Sequence, residues 1–361
     1  MAAVAPRVDV NMIIHNNAAT VAAAIDSVLG QTWPEVSLTL IDNASTDGTA
    51  EILRDYAAAH PAIHIKNNRC DTGAIANLQR AFWSGDADYV MAKTGDDLIA
   101  PDYIERLMAV LLAHPACAMC HAAGLVFNGT GEVQHRYPPE HCLSAIGADP
   151  VARARHVMQH YTSAPSFWGV YRRDAIEQLS TIRYRAGCDH AVLAELALYG
   201  EIRHVTDTLY WRRGGGKPVA AIARGATEQG SRGVSFDDAL GEQRWRTPLI
   251  TTAYAHMEAF ATARLPLGQR RALLDSVSEI FRYRWLPLMR QEVATLRTVL
   301  PDLLHEIGDA DPVAALWLGR MLTDVLFAVR AILPEEDISL ALIEVAAMCG
   351  EQRQSAAWPV A

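Results

Sequence analysis

The sequence predicts an α/β fold: a doubly wound, mainly parallel sheet followed by a helical region. Three observations point there. Apolar strand-like runs alternate four times with stretches of helical spacing between Val8 and Ala92, joined by short connections. Each such crossover is right-handed, which gathers the carboxyl ends of the strands on one edge. Beyond Phe236 the pattern turns almost wholly helical.

The elements follow in order. Val8 to Ile14 is an apolar strand interrupted only by Asp9 and Asn11, and it ends in His15-Asn16-Asn17. No G-x-G-x-x-G follows it, which speaks against a dinucleotide site. Val21, Ile25, Val28 and Leu29 fall at helical spacing, with Thr20 as N-cap. Val36 to Ile41 is a second strand leading into Asp42-Asn43-Ala44-Ser45-Thr46-Asp47-Gly48-Thr49, and Ile52, Leu53, Tyr56 and Ala57 form the next helical stripe. Ile63 to Ile65 is a short third strand, Gly73 to Trp83 a helix, and Tyr89 to Ala92 a fourth strand that stops at Thr94-Gly95-Asp96-Asp97. Pro101 is expected to open an amphipathic helix carrying Ile104, Leu107, Met108, Leu111 and Leu112, since its missing N–H costs nothing there. His15, Asp42 and Asp96 thus converge on the edge where open α/β sheets bind ligands. Two adjacent carboxylates are hard oxygen donors suited to a divalent cation that also holds phosphate; a solvated loop with an acidic helix start is the other reading.

Further on, Cys117 to Phe127 reads as a buried strand, Asn128 to Gly147 as a polar loop, and Val151 to Tyr161 as a helix. Ser166 to Tyr171 is aromatic and strand-like, and Arg172-Arg173-Asp174 starts another helix. Cys188-Asp189-His190 opens a helix running through Leu198, before strands at Ile202 to Val205 and Leu209 to Trp211. From Arg212 to Gly233 glycine is too frequent for a stable element. That tract is either a loop closing Arg212, Arg213 and Lys217 over a diphosphate or a linker between domains. Helices are expected at 249–263, 267–299, 312–332 and 338–349. The predicted domains are residues 1–235 and a mostly helical 236–361.

Composition narrows the function. A formal net charge of −9 over 361 residues excludes a general nucleic-acid binder. Met1 to Val8 shows no basic segment followed by an apolar run, and Ala314 to Leu333 is broken by Arg320, Asp324 and Arg330, so neither a signal peptide nor a membrane span is expected. A cytoplasmic place follows. Cys117-Ala118-Met119-Cys120-His121 fits the C-x-x-C-H haem pattern. A buried strand would put the two cysteines on opposite faces, so they read as core.

Several motifs in the right order carry a resemblance: Val10 to Asn17, Ser27 to Trp33, Leu40 to Thr49, and Thr94 to Asp97. Over about residues 8–235 the chain resembles an inverting family 2 glycosyltransferase of the GT-A fold. The resemblance implies that Asp42 accepts the imide N–H of a base, usually uracil, and that His15 and Asn17 lie beside base and ribose. It implies that Asn67, Gly73 and Asn77 line the nucleotide side; turn or helix-cap polarity is the plainer reading of each. Asp47 reads as a helix cap. The family's metal motif is Asp-x-Asp-Asp; here Thr94 replaces the first acid, Asp96 takes the place of the direct ligand, and Asp97 either shares the metal or orients Asp96. The implied cofactor is Mn²⁺ or Mg²⁺.

Asp189 matches the family's catalytic acid residue and is the candidate base, with a helix N-cap as its structural alternative and His190 as a second base. Cys188 stands where the family often has a glutamate. Trp168, Gly169 and Tyr171 resemble the acceptor-side segment, as stacking aromatics or as core. The implied partners are a nucleotide-diphosphate sugar, chiefly a UDP-sugar, and a glycan, lipid-linked or protein acceptor. The setting implied is polysaccharide or glycoconjugate synthesis, in the cytoplasm or peripheral at the inner face of the membrane. The late helices offer a homodimer face. Nucleotidyl transfer is a competing activity, but it wants a glycine-rich loop after the first strand. Thr94 and Cys188 favour another alternative, a catalytically silent nucleotide-sugar binder or assembly protein.

Overall fold

The other strands assemble around β1 (Val8–Ile14), buried at every residue but Ile13, as a central parallel strand covered on both faces must be. In this computed structural model, which describes residues 5–161, 164–180, 187–214, 247–310, 312–338, 341 and 345, β1 pairs in parallel with β2 (Val36–Asp42) and with β4 (Tyr89–Thr94). On its far side β2 pairs in parallel with β3 (Ile63–Asn67). Helices α1 (Val21–Leu29), α2 (Thr49–Ala59) and α3 (Ala74–Phe82) make the crossovers. The two polar residues inside β1 have local partners. Asp9 accepts the Ala87 N–H at 2.9 Å and pairs with Arg173 at 3.0 Å, and the Asn11 amide donates to the carbonyls of Ala81 and Ser84. Both fasten the turn that leads into β4.

β6 (Cys117–Phe127) is buried along its whole length. It runs parallel to β9 (Glu201–Arg213) and antiparallel to β7 (Val133–Arg136) and β8 (Val170–Arg172). β8 joins β6 to β4, and the two-residue β5 (Leu98–Ile99) pairs with β9. The sheet order is β3-β2-β1-β4-β8-β6-β9-β5, with β7 on β6. Helices α4 (Tyr103–Ala113), α5 (Pro150–His160), the short α6 (Arg173–Ile176) and α7 (Cys188–Tyr199) complete this part.

Four details depart from the sequence expectation. The helix after Pro101 starts only at Tyr103, because Leu98–Ile99 pair with β9 and the Ala100 N–H is bound to the Leu209 carbonyl. The 128–147 segment is not all loop: β7 and a turn of 3₁₀ helix at Pro139–His141 lie within it. The two late strands are one, because Thr206 to Thr208 bulge out between the paired residues Val205 and Leu209. Cys117 and Cys120 join a single apolar cluster, since a register shift at Cys117/Met119 breaks the alternation of β6. Among the described residues no group of three His, Cys, Asp or Glu side chains could hold a metal ion, and His121 bonds the carbonyls of Leu143 and Ala122 instead.

The chain divides into two compact units, Met1–Tyr184 with Val192–Ala226, and Arg185–Ala191 with Thr227–Ala361. The second contains α8 (Pro248–Thr262), α9 (Leu267–Asp309) and α10 (Pro312–Ile332). α9 kinks at Trp285, two residues before Pro287, whose ring cannot continue an undistorted helix. The α8 N-terminus is capped from α9: the Glu292 carboxylate accepts the N–H groups of Leu249 at 2.9 Å and Ile250 at 3.1 Å. Lys217, nearly all of the glycine-rich tract and most of the expected 338–349 helix lie outside the described residues. Among the described residues no helix is long and apolar enough to cross a membrane.

Candidate active site

The carboxyl edge of the parallel strands is set by register. Ile14 of β1 lies beside Asp42 of β2, Asp42 beside Asn67 of β3, and Ile13 beside Thr94 of β4. The residues that follow β1, β2 and β4 therefore emerge side by side. The turn after β4 passes close against the end of β1. A Cβ on Gly95 would come within 2.9 Å of Asn17 Oδ1 and 3.1 Å of Ile14 Cγ1, while the Gly95 N–H donates to the Ile13 carbonyl. Only glycine fits there without displacing a neighbour.

The two acids of that turn have different surroundings. Asp97 is buried; its Oδ2 accepts the Tyr210 hydroxyl at 2.7 Å and its Oδ1 the Arg213 N–H at 2.8 Å. The Asp96 carboxylate makes no hydrogen bond with a described residue, while its carbonyl accepts Arg213 Nε at 3.0 Å. Below the turn, the fully buried Lys93 donates from Nζ to the carbonyls of Thr94, at 3.1 Å, and Asp97. Burial draws Lys93 down to about 8, with the charges of Asp97 and Asp96 working against it. Burial, and then the Asp96 charge, push Asp97 up, opposed by the Tyr210 and Arg213 hydrogen bonds and by Lys93. Asp97 accepts on both oxygens, which is the bonding of a carboxylate. The expectation of two metal ligands is thereby corrected: Asp97 is spent inside the protein and the corner offers one open carboxylate, Asp96. One carboxylate fits a hard divalent cation where phosphate oxygens complete its shell, the usual arrangement for Mg²⁺.

Arg213 lies with its guanidinium 4.6 Å from the centre of the Phe127 ring. Burial pulls Arg212 down, but the Tyr137 hydroxyl and Asp97 hold it above its ordinary value. A guanidinium is not deprotonated in proteins, so both arginines carry positive charge at the end of β9.

At the other end, Asp42 is buried, and its Oδ1 accepts the N–H and hydroxyl of Ser45. Its Oδ2 makes no hydrogen bond with a described residue. His15 Nδ1 donates to the Asn43 carbonyl at 2.9 Å, and its Nε2 lies 3.2 Å from the Asn16 amide and 3.7 Å from Asp71 Oδ2. Asn17 is taken up locally: its Oδ1 accepts the His15 N–H and its N–H donates to Thr49. Asp47 accepts from the N–H and hydroxyl of Thr49 and from the Ala18 N–H. Although burial pushes its carboxyl up, those bonds hold it below the ordinary value, as befits a helix-start cap.

The sequence reading missed the centre of this region. Asn43, 2 % exposed, accepts on Oδ1 from the Asn68 amide and from the N–H and hydroxyl of Thr72, and donates to Asp71. Asp71 in turn accepts the N–H of Gly73, whose φ of +79° favours glycine. Asn67 is exposed, and the networked residue is its neighbour Asn68. Asn77 is a tie rather than a lining group: it is buried, with its amide donating to the Ile41 carbonyl at 3.4 Å and accepting from Asn68. A turn of short polar residues gave no signal separating these roles. For Lys93 there was one, a lysine inside an apolar strand directly before an acidic turn.

Trp168 is half-buried and stacks on Tyr210, with planes 9° apart and centroids at 6.2 Å. Tyr171, expected on the acceptor side, is core. It is 0 % exposed, meets Phe82 edge-on at 5.0 Å, and donates its hydroxyl to the Phe167 carbonyl. It cannot stack on a sugar.

Asp189 is half-buried in the first turn of α7. Its neighbour His190 is buried, with Nδ1 2.8 Å from His256 Nε2. His256 Nδ1 donates to the Thr252 carbonyl, so its Nε2 is an acceptor and His190 Nδ1 carries the proton. Burial, then the neighbouring His256 and Arg284, push His190 well below its ordinary value, and burial pushes His256 down to about 4. His190 is therefore a neutral core residue and no base.

Comparison with known proteins agrees with this architecture. The glycosyl transferase family 2 model matches residues 9–180. EpsE of Bacillus subtilis (strain 168), a protein assigned as a glycosyltransferase, is 35% identical over 127 residues, 35% of this chain and 46% of EpsE. The uncharacterized glycosyltransferase YibD of Escherichia coli (strain K12) is 27% identical over 168 residues, 46% of this chain and 48% of YibD. The chain thus spans about half the length of these two curated relatives. Staphylococcus aureus TarS 1–349, solved in complex with UDP, superposes over 97% of this chain and 92% of its own with a TM-score of 0.56 at 14% identity, a likeness of fold. Residues 9–180 of this chain thus match glycosyl transferase family 2, on a sheet of the GT-A type.

Proposed function

We propose that this protein transfers a sugar from a nucleotide diphosphate donor to an acceptor hydroxyl, with inversion at the anomeric carbon. The observation that carries the proposal is the pair of open carboxylate positions, Asp42 Oδ2 and Asp96, at the ends of strands that flank β1 and its His15. Asp42 holds the base by accepting its imide N–H. His15 lies alongside, with its tautomer set by the Asn43 carbonyl. Asp96 faces the diphosphate end, where Arg212 and Arg213 neutralise the charge that grows on the leaving group. Mn²⁺ or Mg²⁺ held by Asp96 and the phosphates would add Lewis-acid stabilisation there. A uridine donor is our choice because TarS, which shares the fold, is solved with UDP and with UDP-GlcNAc.

In this proposal the acceptor oxygen forms the new bond to the anomeric carbon as the bond to the diphosphate breaks, and Asp189 takes the hydroxyl proton. Trp168 is the remaining aromatic for the acceptor sugar. Residues 1–235 act as the catalytic domain, with 236–361 appended, in the synthesis of a polysaccharide or glycoconjugate. The test is a transfer assay with a panel of nucleotide sugars. Asp189→Asn is expected to retain donor binding and lose at least a hundredfold in turnover. Near-normal turnover would remove Asp189 as base, and wild-type protein that binds donor but never turns it over would leave the catalytically silent binder.

A further inference from the structure

We infer that Lys93 is a built-in cation of the donor site, one that lets the Asp96 corner receive a nucleotide diphosphate without first recruiting a metal ion. The inference rests on the reading of that corner as the diphosphate end. A turn with two ionised carboxylates repels a diphosphate, and a mobile cation is one way to reconcile them. Here a fixed charge is already in place. Lys93 Nζ bonds the carbonyls of Thr94 and Asp97, the residues that bracket Asp96, and forms no ion pair with a described carboxylate. Its charge is therefore not consumed by one partner and acts on the whole turn. Arg213 grips the same turn from the other side, with its N–H on Asp97 and its Nε on the Asp96 carbonyl.

The formal charges of Asp96 and Asp97 are thus balanced by Lys93 and Arg213 before any ligand arrives. A corner with no net negative charge does not oppose an incoming diphosphate. Burial makes the lysine effective, because salt does not screen a charge that water cannot reach. Burial is also costly for an ammonium. An apolar residue would suit the strand better than one whose head must be paid for by two carbonyls, so the charge points to a use. A purely structural clamp would need the hydrogen bonds and not the charge, and this separates the two roles experimentally.

The experiment is calorimetric titration of UDP into wild type, Lys93→Gln and Lys93→Met, each in Mn²⁺ and in EDTA, with thermal unfolding to verify folding. Gln keeps an N–H donor for the carbonyls and drops the charge. Wild type is expected to bind UDP in EDTA within tenfold of its affinity in Mn²⁺, and the variants to widen that ratio at least tenfold by losing affinity in EDTA. A wild-type ratio above tenfold overturns the inference, and so do variants that lose affinity equally in both solutions, as a clamp would. Should neither variant fold, the wild-type ratio alone decides. No UDP binding by wild type in either solution would sink the donor-site reading itself, and this inference with it.

Discussion

Both compact units bury ionisable groups, and they do so to opposite ends. In the helical unit each buried group closes on another inside the protein: Glu292 caps α8, and the His190 ring donates to His256, which donates to the Thr252 carbonyl. At the end of β4 the buried Lys93 and Asp97 are also satisfied inside the protein, but they flank Asp96, whose carboxylate makes no hydrogen bond with a described residue. Buried charge alone marks scaffold. Buried charge that aims an open carboxylate marks a site.

Exchanging the two acids should break this contrast most visibly. Asp97→Ala deprives the buried Tyr210 hydroxyl and the Arg213 N–H of their acceptor, which should destabilise the fold by about 1–3 kcal/mol for each donor left unpaired. Asp96→Ala should leave stability within about 0.5 kcal/mol while removing the part of the UDP affinity that Mn²⁺ adds. Urea unfolding and calorimetry check both, and equal destabilisation by the two variants would erase the distinction.

The histidine pair sharpens the other side. Both rings are held below the ordinary value of 6.5. A group with a depressed folded-state pKa contributes stability above its unfolded value and loses it as pH falls towards the folded one. His256 should therefore cost the helical unit up to about 1.4 kcal/mol per pH unit as pH falls from about 6.5 towards 4, with His190 acting in the same direction and Glu292, pushed up to about 8 by burial, opposing them. Urea midpoints across that range check this, and His256→Gln should flatten the slope; an unchanged slope would mean the rings are not held neutral. The smallest effect is expected from Tyr171→Phe, which removes one buried hydroxyl bond: about 0.5–1.5 kcal/mol of stability and no change in acceptor KM. A raised acceptor KM would return Tyr171 to the acceptor side.

The parallel half was legible in the sequence because continuous apolar runs and helical stripes report burial directly. β1, β6 and α10 lie where the pattern placed them. Pairing with distant residues was not legible. β5 exists only because β9 reaches it, and nothing in Leu98-Ile99 distinguishes a two-residue strand from the start of a helix. For the site, the positions of Asp42 and Asp96 followed from strand ends and handedness. The different surroundings of Asp96 and Asp97 did not, since they depend on Tyr210 and Arg213, more than a hundred residues away in the chain. Trp168 and Tyr171 read alike as aromatics, and only packing against Phe82 and Phe167 assigns Tyr171 to the core.

The central claim is that Asp42 and Asp96 serve opposite ends of one bound nucleotide. Calorimetry of uridine and UDP, in Mn²⁺, with wild type, Asp42→Asn and Asp96→Asn tests it directly. The account predicts that Asp42→Asn weakens both ligands by a similar factor, whereas Asp96→Asn weakens UDP and leaves uridine unchanged. Uridine binding that ignores Asp42→Asn, or that falls with Asp96→Asn as far as UDP binding does, would contradict it.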